Sequence, residues 1–340
     1  MFEKALVMYI YAETPIHPGS GTTLGIVDLP IQRERHTEFP IIQGSSLKGV
    51  LRNALKGAKK GSNIALSDKC ENCPDKEGNE ICKVCGQVFG TQEGVGGISV
   101  TDARILAFPV RTLKGVFGWI TCPLVLDRYK RDLNISGNKV DWSIKDLKDI
   151  EAIIHSQSNL KTVFKENGEE KKYVYIEDLQ LEAKENDELV QNITEEITKA
   201  LPDDSSYEGI KGKLGNDLVI VSDNVFRDLV SLTTEVVTRI RIDPKTGTVQ
   251  TGGLWSEEYL PTDTIMYSLI LIPSRPAALK VEELREDLRE SMEGVKGTSE
   301  QVARLLEKNY NGRVLQIGGD ETVGKGFALL KLVEGGRKKC

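Results

Sequence analysis

Gln43-Gly44-Ser45-Ser46-Leu47-Lys48-Gly49-Val50-Leu51-Arg52-Asn53-Ala54-Leu55-Lys56 places five apolar residues, Leu47, Val50, Leu51, Ala54 and Leu55, three and four positions apart. That spacing predicts a helix with one apolar face, and the serines after Gly44 put a hydroxyl near its N-cap. Lys48, Arg52 and Lys56 follow at i, i+4 and i+8, so they form one basic stripe on it. A solvated face would carry the same stripe. Upstream, residues 5–12 are rich in Val, Ile and Tyr and alternate weakly, which predicts a strand. Residues 14–25, with two Pro and four Gly or Ser, are a loop.

Downstream, residues 98–110 and 115–126 read as strands, the second running into a short helix through Asp132. Residues 137–217 are polar, acidic and poorly periodic except for a helix around 185–200, and read as an insertion. A helix near 224–229 precedes an alternating run, 235–242. Asp243-Pro244-Lys245-Thr246-Gly247 then supplies turn residues before 248–252, which makes a hairpin. Residues 265–272 are a strand, and Thr298-x-x-Gln301 is a capping box opening a helix to about Lys308. Residues 313–317, a Gly-rich turn and 327–333 close the pattern, with no internal repeat. Strands and helices that alternate without long parallel βαβ periodicity predict an α+β, ferredoxin-like core with large insertions.

The chain has 340 residues, 39% hydrophobic and 28% charged, which excludes a disordered or collagenous chain. It has no apolar run of the roughly 18 residues a membrane span needs. Glu3 and Lys4 before a short apolar stretch, without a small-residue cleavage site, read as a first strand rather than a secretory signal, so a cytoplasmic protein is expected. The net charge of −6 argues against a nucleic-acid binder until its distribution is considered. Residues 166–208 hold 14 acidic residues and 4 Lys, a net of −10, which leaves +4 for the rest. One acidic block masks a mildly basic remainder.

Four of the six cysteines fall in Cys70-x-x-Cys73 and Cys82-x-x-Cys85. In a chain without a secretory signal, two such pairs predict thiolate ligation of a structural zinc that staples a loop; four thiolates leave no open position for catalysis. Reduced, metal-free cysteines in an insertion are the alternative.

Three stretches could carry chemistry. His17-Pro18-Gly19-Ser20-Gly21 with Asp28 places an imidazole and a carboxylate in one loop. Trp255-Ser256-Glu257-Glu258-Tyr259 follows the hairpin that carries Arg239, Arg241 and Lys245, and reads either as a cleft edge or as a plain strand exit. Gln316-Ile317-Gly318-Gly319-Asp320-Glu321-Thr322-Val323-Gly324-Lys325-Gly326-Phe327 has the glycine density that lets backbone N–H groups approach a phosphate. Because Gly326 follows Lys325, the P-loop pattern fails and a nucleotide-hydrolysing fold is disfavoured.

Four ordered pieces together resemble the RAMP superfamily of CRISPR proteins. They are residues 16–21 with 27–34, residues 43–49, residues 254–261 and the C-terminal glycine loop. Within it the chain is similar to the backbone subunits of type III-B Cmr effector complexes. The resemblance implies one RAMP domain over 1–340, with an RRM-like palm, a Cys-containing insertion at 61–97, an acidic helical insertion at 134–217 and a β-hairpin thumb at 233–259. It implies partners as well: a CRISPR guide RNA, a complementary target RNA, copies of the same chain stacked head to tail, other Cmr subunits, and no membrane. It implies an endoribonuclease, active mainly in the assembled complex, that cleaves the target at regular intervals by attack of a 2′-OH with a divalent cation, Mg or Mn. Asp28 matches the essential carboxylate, which positions the cation or the 2′-OH; His17, Glu257 and Tyr259 match accessory positions. Glu257 rather than Glu258 is the matching acid because it lies two residues before the tyrosine. Lys48, Arg52, Arg239, Arg241, Gly324, Lys325 and Gly326 would hold RNA phosphates. Two other RAMP readings stay open: a guide-RNA scaffold without chemistry, and a metal-independent nuclease that processes the guide.

Overall fold

The computed structural model describes residues 2–23, 25–57, 80–91, 94–145, 147–166, 169–274, 295 and 297–335. The first strand, β1 (Phe2–Ala12), is buried without interruption from Ala5 to Ala12, which explains its weak alternation: both faces are covered. Next come β2 (Ile41–Ile42), α1 (Gly44–Gly57), α2 (Glu80–Phe89), β3 (Ser99–Val100), β4 (Ala103–Arg111), β5 (Phe117–Thr121) and α3 (Pro123–Ser136). The acidic stretch holds β6 (Glu151–Ile154), β7 (Lys161–Glu166), β8 (Glu169–Ile176), β9 (Leu179–Glu185), α4 (Asp187–Thr198) and α5 (Glu208–Asp217). After it follow β10 (Leu218–Val221), α6 (Asp223–Leu232), β11 (Glu235–Ile242), β12 (Val249–Tyr259) and β13 (Ile265–Pro273). The chain then forms α7 (Thr298–Tyr310), β14 (Arg313–Gln316) and β15 (Phe327–Glu334).

Thirteen of the described strands join in one mixed sheet with the path β14-β15-β1-β13-β4-β5-β10-β6-β9-β8-β7, while β2 and β3 pair with β4 and β13. Strand β4 joins its halves: Arg104 to Ala107 pair with β13, and Phe108 to Arg111 pair with β5. In the first half β1 is antiparallel to both β13 and β15. Tyr9 and Tyr11 of β1 meet Tyr129 of α3 and Tyr207. The Tyr310 hydroxyl of α7 donates to the Leu51 carbonyl of α1 at 2.7 Å, linking those two helices. The apolar side chains Leu47, Leu51 and Leu55 of α1 join the main core, as the sequence spacing requires.

The N-terminus of α1 is held from outside the helix. Gly44 donates its N–H to the Asp102 carboxylate at 2.8 Å, and a Cβ on Gly44 would lie 2.4 Å from the Val100 carbonyl oxygen. Backbone cannot yield as a flexible side chain does. Gly44→Ala is therefore expected to cost about 1–3 kcal/mol, the usual penalty of overpacking, read as a lower melting temperature of the purified chain.

Several expectations change. The stretch at 134–217 is not helical in the main: it contributes β6, β7, β8 and β9, and β6 and β9 pair in parallel, a long-range pairing that local periodicity does not reveal. The second strand stops at Thr121, and a longer helix starts at Pro123, where a missing N–H costs nothing. The capping box is not formed: Gly297 occupies the N-cap of α7 with no side-chain bond, and Gln301 donates instead to the Val295 carbonyl at 3.4 Å. Cys82 and Cys85 lie on a helix, α2, rather than in a turn, and Cys85 is buried in the core. Cys70 and Cys73 lie outside the described residues. Among the described residues no helix is long and apolar enough to cross a membrane.

Candidate functional site

Strands β11 and β12 form a separate two-stranded hairpin, paired from Glu235–Tyr259 to Ile242–Val249. Its second strand runs on to Tyr259, so Trp255, Glu257 and Tyr259 belong to it and are not an exit from it. Alternation places these three on one face, opposite Arg239, Val237 and Glu235 in register. At the tip, Lys245 donates its N–H to the Asp243 carboxylate at 2.8 Å, and Gly247 takes φ +70°. Val236, Ile240, Ile242, Val249 and Leu254 are exposed along the hairpin.

The other edge of β12 is occupied by the loop that carries Asp28. Leu29 donates its N–H to the Ser256 carbonyl and accepts from the Glu258 N–H, both at 3.0 Å. This register brings Asp28 onto Ser256: its Oδ2 accepts from the Ser256 N–H and the Ser256 hydroxyl, each at 2.8 Å. The two bonds hold the carboxyl below the usual carboxylate range, the backbone donor contributing most. Oδ1 has no protein partner among the described residues, and the side chain is exposed. Asp28 is therefore a charged carboxylate with one oxygen open to solvent.

Further along, Ile16 and Leu260 exchange N–H···O bonds at 3.0 and 2.8 Å, which seats His17 beside Tyr259, their rings 5.4 Å apart. His17 Nδ1 lies 2.6 Å from the Glu258 carbonyl oxygen. A carbonyl only accepts, so Nδ1 carries the hydrogen and Nε2 of the neutral ring keeps its lone pair. With Gln32, Ser46, Gly318 and Gly319, His17 lines a cleft of about 310 Å³.

Glu257 and Glu258 have different work. Glu258 is 5% exposed, and its oxygens take the Ile31 N–H at 2.9 Å, the Thr234 hydroxyl at 2.7 Å and the Arg33 guanidinium. It clamps the Asp28 loop to the hairpin. Glu257, also 5% exposed, accepts from the Trp255 indole N–H at 2.6 Å and from the Tyr259 hydroxyl. Tyr259 is completely buried; burial and two acidic neighbours, Glu257 and Asp320, push its hydroxyl far above the usual range. It therefore stays protonated, with its hydroxyl turned to Glu257 and Asp320.

The cationic residues divide. Arg239 lies 3.5 Å from Glu257 and 3.6 Å from Asp320, and Arg241 stacks over Trp255 at 5.9 Å. Lys325 sits 4.9 Å over the Tyr259 ring. Within the glycine loop, Gly319, Gly324, Lys325 and Gly326 donate their N–H groups to the His17, Glu321, Asp320 and Pro15 carbonyls. Its glycines supply positive φ, at +88° for Gly318, +80° for Gly324 and +81° for Gly326. On α1, Lys48 donates to the Ile98 carbonyl at 3.2 Å, and the buried Arg52 Nε has no partner among the described residues. Burial and the neighbouring Arg52 lower the Lys48 ammonium from its usual range. Neither is paired with a carboxylate among the described residues, so α1, whose Ser46 lines the His17 cleft, stays cationic. Asp320, which joins two parts of the site, was not singled out from the sequence; an acid inside a loop read as phosphate-binding was the available signal.

The sequence pattern that defines the RAMP superfamily matches residues 9–329. The chain belongs to the RAMP superfamily. It is 42% identical to the CRISPR system Cmr endoribonuclease Cmr4 of Pyrococcus furiosus over 332 residues, covering 97% of this chain and 96% of that one. It is 29% identical over 339 residues to the CRISPR system CMR subunit Cmr4 of Saccharolobus solfataricus, covering 95% and 94%. Its fold overlays the crystal structure of oligomeric Cmr4 from Pyrococcus furiosus with a TM-score of 0.67 at 34% identity, covering 97% and 98% of the two chains. The matched span includes the ordered pieces at residues 16–21 with 27–34, 43–49 and 254–261 and the C-terminal glycine loop.

Proposed function

We propose that the chain is the backbone subunit of a type III-B CRISPR effector complex, binding a guide RNA and cleaving complementary target RNA at regular intervals. The observation that carries this is Asp28: an ionised carboxylate, one oxygen open, fixed to the edge of an exposed hairpin in a chain 42% identical to a Cmr endoribonuclease. In this reading β15-β1-β13-β4, with α1 and α7, is a ferredoxin-like palm; the strand order of that half supports it. The β11–β12 hairpin is the thumb, and its exposed Val236, Ile240 and Leu254 suit a wedge that splays a target nucleotide out of the duplex. Splaying is required because A-form geometry holds a 2′-OH out of line with its own phosphate.

Each side chain then has a task set by its surroundings. The bonds to Ser256 make Asp28 a weak base, so it works by charge and position at the reacting 2′-OH. His17 Nε2, held as acceptor by the Nδ1 bond, is placed to take the 2′-OH proton. Arg239 offers its charge to the phosphate, steadied by Glu257. The 2′-oxygen bonds to phosphorus as its proton passes to His17, the bond to the 5′-oxygen breaks, and that oxygen takes a proton from water, giving a 2′,3′-cyclic phosphate and a 5′-OH. A divalent cation, Mg or Mn, fits as a partner of Asp28 Oδ1. The described residues offer no cluster of three ligands, so the remaining positions fall to water and RNA phosphate, as is common for Mg²⁺. Such a cation would neutralise charge on the scissile phosphate.

The test uses the assembled complex with a guide and a labelled complementary RNA. A regular ladder is expected, abolished by EDTA and restored by Mg or Mn. A complex that binds the target without cutting it overturns the nuclease in favour of a scaffold. A ladder indifferent to EDTA overturns the role of the cation.

A further inference from the structure

The Tyr259 hydroxyl has one hydrogen but faces two carboxylates, Glu257 and Asp320, the second at 2.9 Å. It can donate to only one of them at a time, so its oxygen lone pairs face the other. Two carboxylates around one hydroxyl repel unless a cation stands between them. Arg239 does: its Nη1 lies 3.5 Å from Glu257 Oε2 and from the Tyr259 oxygen, and its Nη2 lies 3.6 Å from Asp320 Oδ1. Glu257, Tyr259, Asp320 and Arg239 therefore close a ring of polar contacts. Three of its members come from the hairpin, and Asp320 alone comes from the glycine loop.

The backbone around Asp320 is built to present that carboxylate. Asp320 sits at φ +64°, a left-handed conformation that non-glycine residues seldom adopt. The Val323 and Lys325 N–H groups both bond its carbonyl, at 3.1 and 3.2 Å. The loop is itself anchored to the His17 segment by the Gly319 N–H on the His17 carbonyl at 3.0 Å. A Cβ on Gly318 would come within 2.3 Å of the same oxygen, so the approach needs glycine there. The other charged groups facing the ring are Lys325, above Tyr259, and Glu235, opposite Tyr259 in register.

We infer that Asp320 is a positioning residue for RNA cleavage: it orients Arg239 and Tyr259, and through Tyr259 it orients Glu257. The glycine loop is thereby a support of the cleavage site. The inference rests on the nuclease reading above. Its geometry explains why a completely buried tyrosine stands at this site: Tyr259 relays the position of Asp320 to Glu257.

The variant must spare the backbone. Asp320→Gly removes the carboxylate at a φ that glycine adopts freely, and Asp320→Asn keeps the shape with a residue that tolerates the same φ. In the assembled complex, both are expected to lower the single-turnover cleavage rate about tenfold while the half-saturating target concentration stays within twofold, since neither removes a group on RNA. In a Tyr259→Phe background, Asp320→Gly is expected to cost clearly less than it does alone, about threefold, because the share passed through Tyr259 is already gone while the contact with Arg239 remains. Cleavage within twofold of wild type in both single variants overturns the inference, as does an undiminished loss in the Tyr259→Phe background. Wild-type complex that fails to cleave overturns the nuclease reading itself, which keeps the two failures distinct.

Discussion

Asp28→Ala is expected to lower single-turnover cleavage of a complementary RNA roughly 10²–10³-fold in the assembled complex, the scale on which one electrostatic group at a reacting centre acts. Guide binding and assembly should be unchanged, because the side chain is exposed and its protein bonds are both to Ser256. Asp28→Asn sharpens the test. The amide oxygen can still accept from the Ser256 N–H, so the loop geometry survives while the charge is lost. If Asp28 works by charge, the asparagine variant is as slow as the alanine variant; if it works only by shaping the loop, asparagine restores the rate. The pH dependence follows from the same bonds. They hold the carboxyl below the ordinary carboxylate range, so it is ionised throughout the neutral range and adds no limb to a profile there. A rate that rises between pH 6 and 8 in wild type therefore reports another group, and the Asp28→Asn profile should keep that shape at a lower level. Cleavage at the wild-type rate by Asp28→Ala would remove Asp28 from the site.

How far this site was legible in the sequence depends on which forces built it. The helix at α1 was readable because its apolar spacing is local, and so was the β11–β12 hairpin, whose turn residues Asp243 and Gly247 carry their own conformational preference. The strands β6 to β9 were not, since polar exposed residues such as Lys171, Gln180 and Glu182 dominate β8 and β9, and β6 pairs only with the distant β9 and β10. The side chains that make the site needed the family pattern. Asp28 and Ser256 are 228 positions apart, and Tyr259 and Asp320 are 61 apart, distances at which no spacing rule applies. The glycine loop shows another limit: its composition suggests a phosphate cradle, and hydrogen bonding within the loop and to residues 15 and 17 takes the donors of Gly319, Val323, Gly324, Lys325 and Gly326. Composition reports what a backbone can do, and the tertiary contacts decide which of those things it does.

The adjacent acids Glu257 and Glu258 give the second large effect, on stability instead of rate. Glu258→Ala is expected to destabilise the chain by about 3–5 kcal/mol, because it leaves a largely buried guanidinium without its carboxylate. Arg33 would keep only the Glu38 and Val230 carbonyls, at 2.9 and 3.0 Å, and the Ile31 N–H and Thr234 hydroxyl would lose their acceptor. These groups tie the Asp28 loop to the hairpin, so local opening should precede global unfolding. Amide exchange at Ile31 should quicken well before the thermal midpoint is reached. Glu257→Ala breaks different contacts: an indole N–H, a tyrosine hydroxyl and a long ion pair to Arg239, with Asp320 still present to accept from Tyr259 and to hold Arg239. Its cost in stability should be nearer to 1 kcal/mol, the net worth of an ordinary hydrogen bond, while its cost in cleavage is the larger of its two effects. Thermal melts and single-turnover rates of the two alanine variants decide the matter. Equal losses of stability would show that Glu258 is not the clamp, because the difference predicted here comes mainly from the Arg33 charge that, among the described residues, Glu258 alone neutralises.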